Sequence, residues 1–377
     1  MTTATKKRGG SRTTVNAAEL LKALKAVAPA VAKAGTGRNV LLAERVEAQD
    51  GALRITEDME GSGAPVLVPH DRLAAILSTV TGTVDIEATG TSVRIKAARG
   101  EWTLPTESAA EWPAVSEGVA RPFARFPADQ FARAVRAVIA AADNESSRYA
   151  LGGVLLEHKG PHVALVATDG RRLHCSILDL DQDTDDGAVI VPRHVMGVLL
   201  RIAEDGGDEA LQIDVVANRE IVAECAGRVV RAALLDGRFP RWLDVIPEEV
   251  RPRFGVDDDT YQKRPPHSTA VADELLSAMR QAAIVTSEAS KGVDCVFTAD
   301  GLMMKGRSAE FGESTVTCDL GESALKVTVR VDPQYVREWL QTVDDGVMVE
   351  IHAKDSQSAV TLRHEDTYAV IMPMAAD

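Results

Sequence analysis

The feature that most constrains the fold of this chain is an internal repeat that occurs three times. Three segments begin alike, namely AAELLKALKAV from Ala17, ADQFARAVRAV from Ala128 and ADELLSAMRQA from Ala272. Each places apolar residues three and four positions apart, which is the spacing of one buried helix face. A repeat of this length indicates one structural unit used three times, so the sequence predicts three related domains that each open with a helix.

A small turn between two strand-like runs follows each of these helices. The turns are expected at Asp50-Gly51, at Gly160 and at Asp300-Gly301. Asp-Gly between alternating apolar residues is a strong hairpin signal, because glycine accepts the positive φ that tight turns require.

A second helix follows in each repeat, directly after a valine and a proline. The segments are VPHDRLAAIL from Val68, VPRHVMGVLL from Val191 and VDPQYVREWL from Val331. Proline favours the first turn of a helix, where its missing N–H would have had no partner. Alternating strand runs come after each second helix. The order predicts an α+β fold with a disordered tail at residues 1–12 and three domains at residues 13–120, 121–250 and 260–377.

Charge and cysteine usage limit the classes of function. The formal net charge is −14, which argues against a general nucleic-acid binder unless cations gather on one face. No apolar run reaches the roughly 18 residues of a membrane span, and no signal sequence is evident at the start. Four scattered cysteines favour a reducing compartment, so we expect a cytoplasmic protein that makes no membrane contact.

Four stretches resemble the beta subunit of bacterial DNA polymerase III, the beta sliding clamp family. They are SRYALGGVLLE at residues 147–157, LVATDGRRL at 165–173, LLDGRFPRWLDVIP at 234–247 and YAVIMPM at 368–374. The first domain is similar only through its TEDME and EWTLP stretches. The resemblance implies three sliding-clamp domains, each with two helices and two antiparallel sheets, and a homodimer closed head to tail into a ring.

The resemblance also implies where partners bind. A peptide-binding cleft is expected from Leu151, Thr168, Gly170, Arg171, Arg172, Leu173, Pro240, Val245, Val370, Met372, Pro373 and Met374. The dimer interface is expected to set Trp102 and Leu104 against Ile284 and Val285. Such a cleft suits short extended peptides, since methionine adapts to several partners.

Cations on the helices that would line the ring account for DNA binding by an acidic chain. With two positions matched to the family, Arg38 and Tyr149, the expected DNA-binding residues are Lys22, Lys25, Arg38, Arg133, Arg136, Tyr149, Arg193, Arg201 and Arg280. Contacts to phosphates would hold duplex DNA without reading its sequence.

Some positions depart from the family pattern. Ala150 replaces a frequent second aromatic residue, Asp244 stands where a basic residue is common, and Ser290 stands where an aromatic residue lines the cleft. The chain ends Ala375-Ala376-Asp377 and lacks the usual basic and apolar finish. These changes are expected to shift the choice of peptide.

The sequence carries no complete catalytic or metal-binding motif. Asp181, Asp183 and Asp185 imitate the start of a calcium loop, but the glycine falls late at Gly187 and Pro192 occupies the place of the required glutamate. We therefore expect no catalytic residue, no metal and no cofactor.

The main hypothesis is a DNA sliding clamp, a non-catalytic subunit of the DNA polymerase III holoenzyme. Its expected partners are a second copy of itself, duplex DNA, DNA polymerases, a clamp loader and other proteins with clamp-binding peptides. Two alternatives stay open here. One is a divergent clamp paralogue that serves repair, drug resistance or a mobile element, and the other is an enzyme with an unrecognised site.

Overall fold

The computed structural model describes residues 12–59, 65–89, 91–115, 118–143, 149–180, 185–252, 254, 266–288 and 290–375. Within these ranges the chain forms six α-helices and 24 strands. The tail predicted at residues 1–12 lies outside them except for Arg12, where the first strand begins.

The helices occupy the segments that the sequence predicts. They are α1 (Ala17–Val27), α2 (His70–Leu77), α3 (Ala128–Ile139), α4 (Arg193–Gly206), α5 (Ala272–Ala282) and α6 (Pro333–Leu340). Helices α1, α3 and α5 begin at the predicted residues and bury one face. The predicted proline signal also holds, since Pro69 and Pro192 directly precede α2 and α4, and Pro333 is the first residue of α6.

The strands follow the same order around the helices in all three repeats. The first repeat contains β1 (Arg12–Asn16), β2 (Asn39–Leu42), β3 (Arg45–Gln49), β4 (Leu53–Asp58), β5 (Val66–Pro69), β6 (Thr83–Thr89), β7 (Ser92–Ala97) and β8 (Gly100–Pro105). The second contains β9 (Ala120–Pro127), β10 (Gly153–Lys159), β11 (His162–Thr168), β12 (Arg172–Asp179), β13 (Gly187–Pro192), β14 (Ala210–Val216), β15 (Glu220–Cys225) and β16 (Arg228–Ala233). The third contains β17 (Ser268–Val271), β18 (Val293–Thr298), β19 (Gly301–Ser308), β20 (Gly312–Cys318), β21 (Thr328–Val331), β22 (Met348–His352), β23 (Val360–His364) and β24 (Thr367–Ile371).

The chain divides into two compact units that do not follow the repeats. The first unit consists of Met1–Arg121 and Gln212–Ala233, and the second of Pro122–Leu211 and Leu234–Asp377. The first unit therefore joins the first repeat to the last strands of the second repeat. The domain boundaries expected from the sequence stay a prediction.

Two sheets make up the first unit. One has the strand order β1-β6-β7-β8, and the other contains β5-β2-β3-β4-β16-β15-β14 in that order. Strand β4 of the first repeat pairs with β16 of the second, with Arg54 opposite Arg231 and Leu53 opposite Ala232. We call this pairing the first joint. Arg228 and Glu57 stand opposite each other in this joint and form a largely buried ion pair.

The second unit repeats this construction. One sheet runs β13-β10-β11-β12-β24-β23-β22-β17, and another runs β20-β19-β18-β21. Strand β12 of the second repeat pairs with β24 of the third, with Leu173 opposite Val370 and Arg172 opposite Ile371. We call this pairing the second joint. The predicted class is confirmed, and the sheets of successive repeats merge through these joints.

Both joints use the same pair of strands within the repeat. Each joins the fourth strand of one repeat (β4 or β12) to the last strand of the next (β16 or β24). Two such strands take part in neither joint: β20, the fourth strand of the third repeat, and β8, the last strand of the first repeat. Each is the edge of its own four-stranded sheet.

One predicted hairpin is assigned to the wrong position within the repeat. The turn at Asp50-Gly51 joins β3 to β4, whereas the turns at Gly160 and Gly301 join the second and third strands of their repeats. The equivalent turn of the first repeat lies at residues 43–44, which are Ala and Glu. That turn contains none of the residues that mark turns, so the sequence gives no local signal for it.

No helix in the described part of the chain is both long and apolar enough to cross a membrane.

Candidate functional site

The floor of the predicted cleft lies on one face of the second joint. Leu173 stands opposite Thr168 on one side and opposite Val370 on the other. Residues directly opposite in an antiparallel ladder point to the same face, so these three side chains form a row. All three are buried. The structure thus brings together three of the predicted cleft residues.

The turn at residues 169–172 is held by its own side chains. The hydroxyl of Thr168 donates to the carbonyl of Arg172 over 2.6 Å, and the N–H of Gly170 donates to that hydroxyl over 3.1 Å. Asp169 accepts the N–H groups of Arg171 and Arg172. Gly170 has a φ of 86°, which glycine adopts without strain. The turn is therefore fixed before any ligand binds.

Arg172 is buried and its guanidinium is engaged by the protein itself. It donates to Glu338 over 2.5 Å, to the carbonyl of Ala140 over 2.7 Å and to Asp169 over 3.1 Å. The same group lies 4.4 Å from the centre of the Tyr335 ring. The structure therefore gives Arg172 the geometry of a residue that links β12 to its neighbouring elements.

The residues after β24 are docked through their backbone. The N–H of Met372 donates to the carbonyl of Arg171 over 2.9 Å, and the N–H of Met374 donates to the carbonyl of Arg330 over 2.8 Å. Pro373 between them is partly buried. The side chain of Met372 is 45% exposed, so it is available to a ligand although its backbone is fixed.

Residues 234–252 and Phe254 contribute to the same face. Trp242 is buried, donates from its indole N–H to Glu157 over 2.6 Å and packs 5.4 Å from the Phe254 ring. It belongs to one apolar cluster with Leu173 and Val370.

The remaining cleft residues differ in exposure. Val245 is 42% exposed, Pro240 is also exposed, and Leu151 is buried. The described surface therefore combines a buried apolar floor with exposed apolar side chains.

The rim of this face carries both charges. Gly170 and Arg171 are exposed at the turn. Asp244, which departs from the family pattern, lies 3.8 Å from the guanidinium of Arg241. Both side chains are largely exposed, so this contact offsets little of the negative charge of Asp244. Ser290 forms a backbone bridge with Ser287, and Asp377 lies outside the described residues.

The predicted DNA-binding cations fall into two groups. Three have partners within the protein: Arg133 bonds Asp129 over 2.8 Å, Arg136 bonds Glu204 on α4 over 2.6 Å, and Arg193 donates to the carbonyl of Ala142. The others are exposed and form no ion pair among the residues that the structure describes, namely Lys22, Lys25, Arg38, Arg201 and Arg280. Tyr149 begins a short 3₁₀ turn at Tyr149–Gly152.

One position carries a cation in the first helix of every repeat. Lys25, Arg136 and Arg280 each stand eight residues after the first residue of α1, α3 and α5. Lys22 and Arg133 lie three residues earlier on the same helix faces, because residues three apart are neighbours on a helix. The repeat therefore presents similar basic helix faces.

The predicted interface residues lie in different units. Trp102 and Leu104 alternate on the edge strand β8, and both are partly exposed. A Cβ at Gly100 would meet the indole of Trp102 at 2.5 Å, so that ring folds back over the glycine. Ile284 and Val285 occupy a 3₁₀ turn after α5, and Ile284 is 76% exposed. An isoleucine this exposed favours a partner surface.

Two features near these residues escaped the sequence interpretation. The first unit contains a cavity of about 770 Å³, lined by Gly35, Arg38, Asn39, Pro69, Asp71, Arg72, Leu104, Pro105, Thr106 and Glu107. In the second unit Phe311, at the turn between β19 and β20, is 54% exposed. An aromatic residue beside the glycine of a hairpin turn was a signal for an exposed contact.

Two neighbouring buried groups on β12 have strongly shifted pKa values. Burial lowers the pKa of His174 to about 3, and its ring bonds the carbonyl of Ala137. Burial also raises the pKa of the Cys175 thiol well above its ordinary value, so the thiolate is disfavoured. Among the described residues no group of three or more His, Cys, Asp or Glu side chains could hold a metal ion. Asp181 and Asp183 lie outside those residues.

Comparison with known proteins finds similarity to DNA sliding clamps. Residues 125–241 match the family described as DNA polymerase III beta subunit, central domain. The beta sliding clamp of Escherichia coli K12 is 26% identical over 295 residues, which cover 77% of this chain and 76% of the relative. The beta sliding clamp of Pseudomonas putida KT2440 is 27% identical over 352 residues, which cover 90% and 87%.

Solved structures share the fold over almost the full length. The DnaN sliding clamp of Pseudomonas aeruginosa bound to griselimycin covers 98% of this chain and 100% of its own, with a TM-score of 0.87 and 24% identity. The sliding clamp of Bacillus subtilis gives the same coverage, with a TM-score of 0.86 and 16% identity. The resemblance found in the sequence is confirmed, and a divergent paralogue is not favoured.

Proposed function

We propose that this chain, a beta sliding clamp by its fold and by the sequence of its central part, closes as a homodimer around duplex DNA and tethers polymerases to it. Its relatives are sliding clamps, and it acts without catalysing a reaction. The finer parts of this proposal are the ring, the DNA lining, the peptide cleft and membership of the DNA polymerase III holoenzyme.

The observation that carries the proposal is the reuse of one joint. The first and second joints both pair the fourth strand of a repeat with the last strand of the next repeat. Strands β20 and β8 are the same two kinds of strand, and each is a sheet edge. Edge strands present unpaired backbone groups that readily pair with another chain. Pairing β8 of each copy with β20 of the other closes the assembly with two identical seams and twofold symmetry.

The predicted interface residues support this seam. Trp102 and Leu104 lie on β8 itself, and Ile284 exposes an apolar side chain in the third repeat. Covering these side chains removes apolar surface from water, which is the dominant favourable term in association.

DNA binding is supported by the basic helix faces. Lys25 and Arg280 are exposed and form no ion pair in the described part of the chain. Cations of this kind attract phosphates without reading bases. With a net charge of −14, simple affinity for DNA is expected to be weak, so retention depends on closure of the ring.

The cleft at the second joint is proposed to take short peptides from polymerases and from other replication and repair proteins. Its floor of Leu173 and Val370 is buried, while Met372 and Val245 expose apolar side chains. A short peptide buries less than a standard protein interface, so the affinity is expected to be micromolar. A ring that cannot leave DNA sideways converts that contact into a lasting tether through high effective concentration.

Two further partners follow from ring closure. A closed ring has to be opened before it can enclose DNA, so the proposal includes a separate clamp loader. Because the DNA that it would enclose is chromosomal, the proposal includes a cytoplasmic location. An enzyme with an unrecognised site has no support from the described residues.

Retention on circular DNA tests the proposal. The protein is loaded by a clamp loader onto a nicked plasmid, separated from free protein by gel filtration, and the plasmid is then cut once. We expect the protein to stay on the circle and to leave after linearisation. Equal retention on both forms would mean that binding depends on affinity and that no ring encloses the DNA.

A further inference from the structure

We infer that Phe311 of each copy packs against Leu104 of the other copy, at the cavity in the first unit. This inference rests on the proposed homodimer and assigns a residue that no comparison assigns. Three independent observations carry it: the register of the two joints, the burial of the equivalent residues and the position of the cavity.

The register of the seam follows from the two joints inside the chain. A hairpin turn precedes the fourth strand of each repeat, and the first residue after that turn that pairs with the third strand serves as a reference position. This reference residue is Arg54 in β4 and Leu173 in β12, which pair with Gln49 and Thr168. The reference residue of β20 is Gly312, which pairs with Ser308.

The opposite strands agree in the same way. In both joints the partner stands three residues after the start of the last strand, at Arg231 in β16 and at Val370 in β24. Three residues after the start of β8 is Thr103. The joint register therefore sets Thr103 opposite Gly312 of the second copy, and the next pair along is Leu104 opposite Phe311.

Burial at the equivalent positions shows what Phe311 lacks in a single chain. The residue directly before the first paired residue is Leu53 in the first joint and Arg172 in the second. Leu53 is 3% exposed and stands opposite Ala232, and Arg172 is 8% exposed and stands opposite Ile371. Phe311 holds the same position and is 54% exposed. An aromatic side chain in this position favours a covering strand from another molecule.

The cavity in the first unit offers space where the register puts the ring. Leu104 and Pro105 line it, as does Pro69, and its volume of about 770 Å³ exceeds that of a phenylalanine side chain. The cavity lining carries two acids, Asp71 and Glu107, which contact His70 and Asn39. Its two cations, Arg38 and Arg72, form no ion pair among the described residues, and the exposed Glu310 adjoins Phe311. The hairpin tip of one copy thus brings an acidic side chain to a cavity that holds these two cations.

The inference is tested by comparing the dimer dissociation constant of the Phe311→Ala variant with that of the parent protein. Met348→Ala is the matched control, because Met348 is an exposed apolar residue of the same repeat (44%) but lies on β22, away from β20. Sedimentation over a dilution series is expected to show a dimer Kd raised at least about tenfold by Phe311→Ala and unchanged by Met348→Ala. Phe311→Leu is expected to restore part of the affinity. Because Phe311 is exposed, the thermal unfolding of the separated chain should not change.

Cross-linking locates the contact. The four native cysteines are buried, so new cysteines in Pro105→Cys and Phe311→Cys react selectively with a short thiol cross-linker. The double variant is expected to give a covalent dimer, and each single variant is expected to give none. A stable dimer that is indifferent to Phe311→Ala and yields no cross-link would overturn the inference and leave the ring proposal intact. A parent protein that is monomeric at micromolar concentration would overturn both.

Discussion

Arg172 on strand β12 donates a hydrogen bond of 2.5 Å to Glu338 on helix α6, and so links the second repeat to the third. The same guanidinium bonds the carbonyl of Ala140 after α3. One buried cation therefore links three elements around the proposed cleft, and its removal leaves the Glu338 carboxylate without that partner.

Replacing Arg172 is expected to loosen the second unit. Arg172→Ala should lower the free energy of unfolding by about 3 kcal/mol, because breaking a buried ion pair leaves an uncompensated charge. Arg172→Lys should recover little, since a single ammonium cannot reproduce the forked geometry of the guanidinium. Urea denaturation monitored by tryptophan fluorescence measures both. Unfolding midpoints within error of the parent would show that this link is not structural.

Met372→Ala is expected to weaken peptide binding without affecting folding. The side chain is 45% exposed, while its backbone N–H stays bonded to Arg171. Loss of an apolar anchor should raise the Kd of a leucine- or phenylalanine-containing peptide by about tenfold. Met348→Ala, with similar exposure, should leave the Kd unchanged. Fluorescence anisotropy with a labelled peptide measures both Kd values. Equal values for the two variants would show that Met372 does not contact the peptide.

Acid is expected to destabilise the protein through His174. Burial lowers the pKa of this group to about 3 in the folded chain, whereas the unfolded chain takes up a proton near its ordinary pKa of 6.5. The unfolded state therefore binds the additional proton, and stability falls as the pH drops from 6.5 toward 3. At pH 5 the loss amounts to about 2 kcal/mol.

The variant His174→Gln isolates this effect from other titrating groups. The difference in unfolding free energy between pH 7.5 and pH 5 should be smaller in the variant than in the parent by about 2 kcal/mol. Paired urea titrations at the two pH values provide the measurement. An unchanged difference would assign the acid sensitivity to other groups, such as the buried His352, whose pKa burial also lowers.

Gly197→Ala is expected to stabilise the protein. Gly197 lies inside α4, has no positive φ, and an added Cβ would meet no atom within 4 Å. Alanine reduces the backbone freedom of the unfolded chain, so the free energy of unfolding should rise by about 0.5–1 kcal/mol. Thermal denaturation is the direct measurement. A lower Tm would show that the helix cannot accept a methyl group at this position.

Among the cations, those without internal partners should matter most for DNA. The double variant Lys25→Gln, Arg280→Gln is expected to weaken clamp loading on all DNA sequences alike. The slope of log K against log salt concentration should become shallower by about one for each lost phosphate contact. Arg133→Gln is the comparison, because Arg133 is already bonded to Asp129. A larger defect in the Arg133 variant would contradict this ranking.

The sequence predicts the local structure of the fold well. The starts of α1, α3 and α5 at Ala17, Ala128 and Ala272 follow from the repeated segments and their apolar spacing, because the buried face of an amphipathic helix recurs every three or four residues. The turn at residues 43–44 was missed because it contains no turn-forming residue.

The joints lay beyond what sequence patterns show. Arg54 and Arg231 pair across 177 positions of the chain, and no local spacing reports such a partner. The same reason explains Arg172, which the family pattern places in the cleft and which the fold buries against Glu338. Exposure decides which predicted residues remain available, and exposure depends on distant segments.

The repeated joint also has a consequence for dilution. In the first and second joints the paired strands belong to one chain, so separation leaves each strand at a high effective concentration near its partner, and the joint re-forms. A seam made from β8 and β20 would be the same joint without this covalent connection. Lowering the protein concentration therefore acts on the seams alone. Mechanical force on such a ring would part it at a seam before either internal joint gives way.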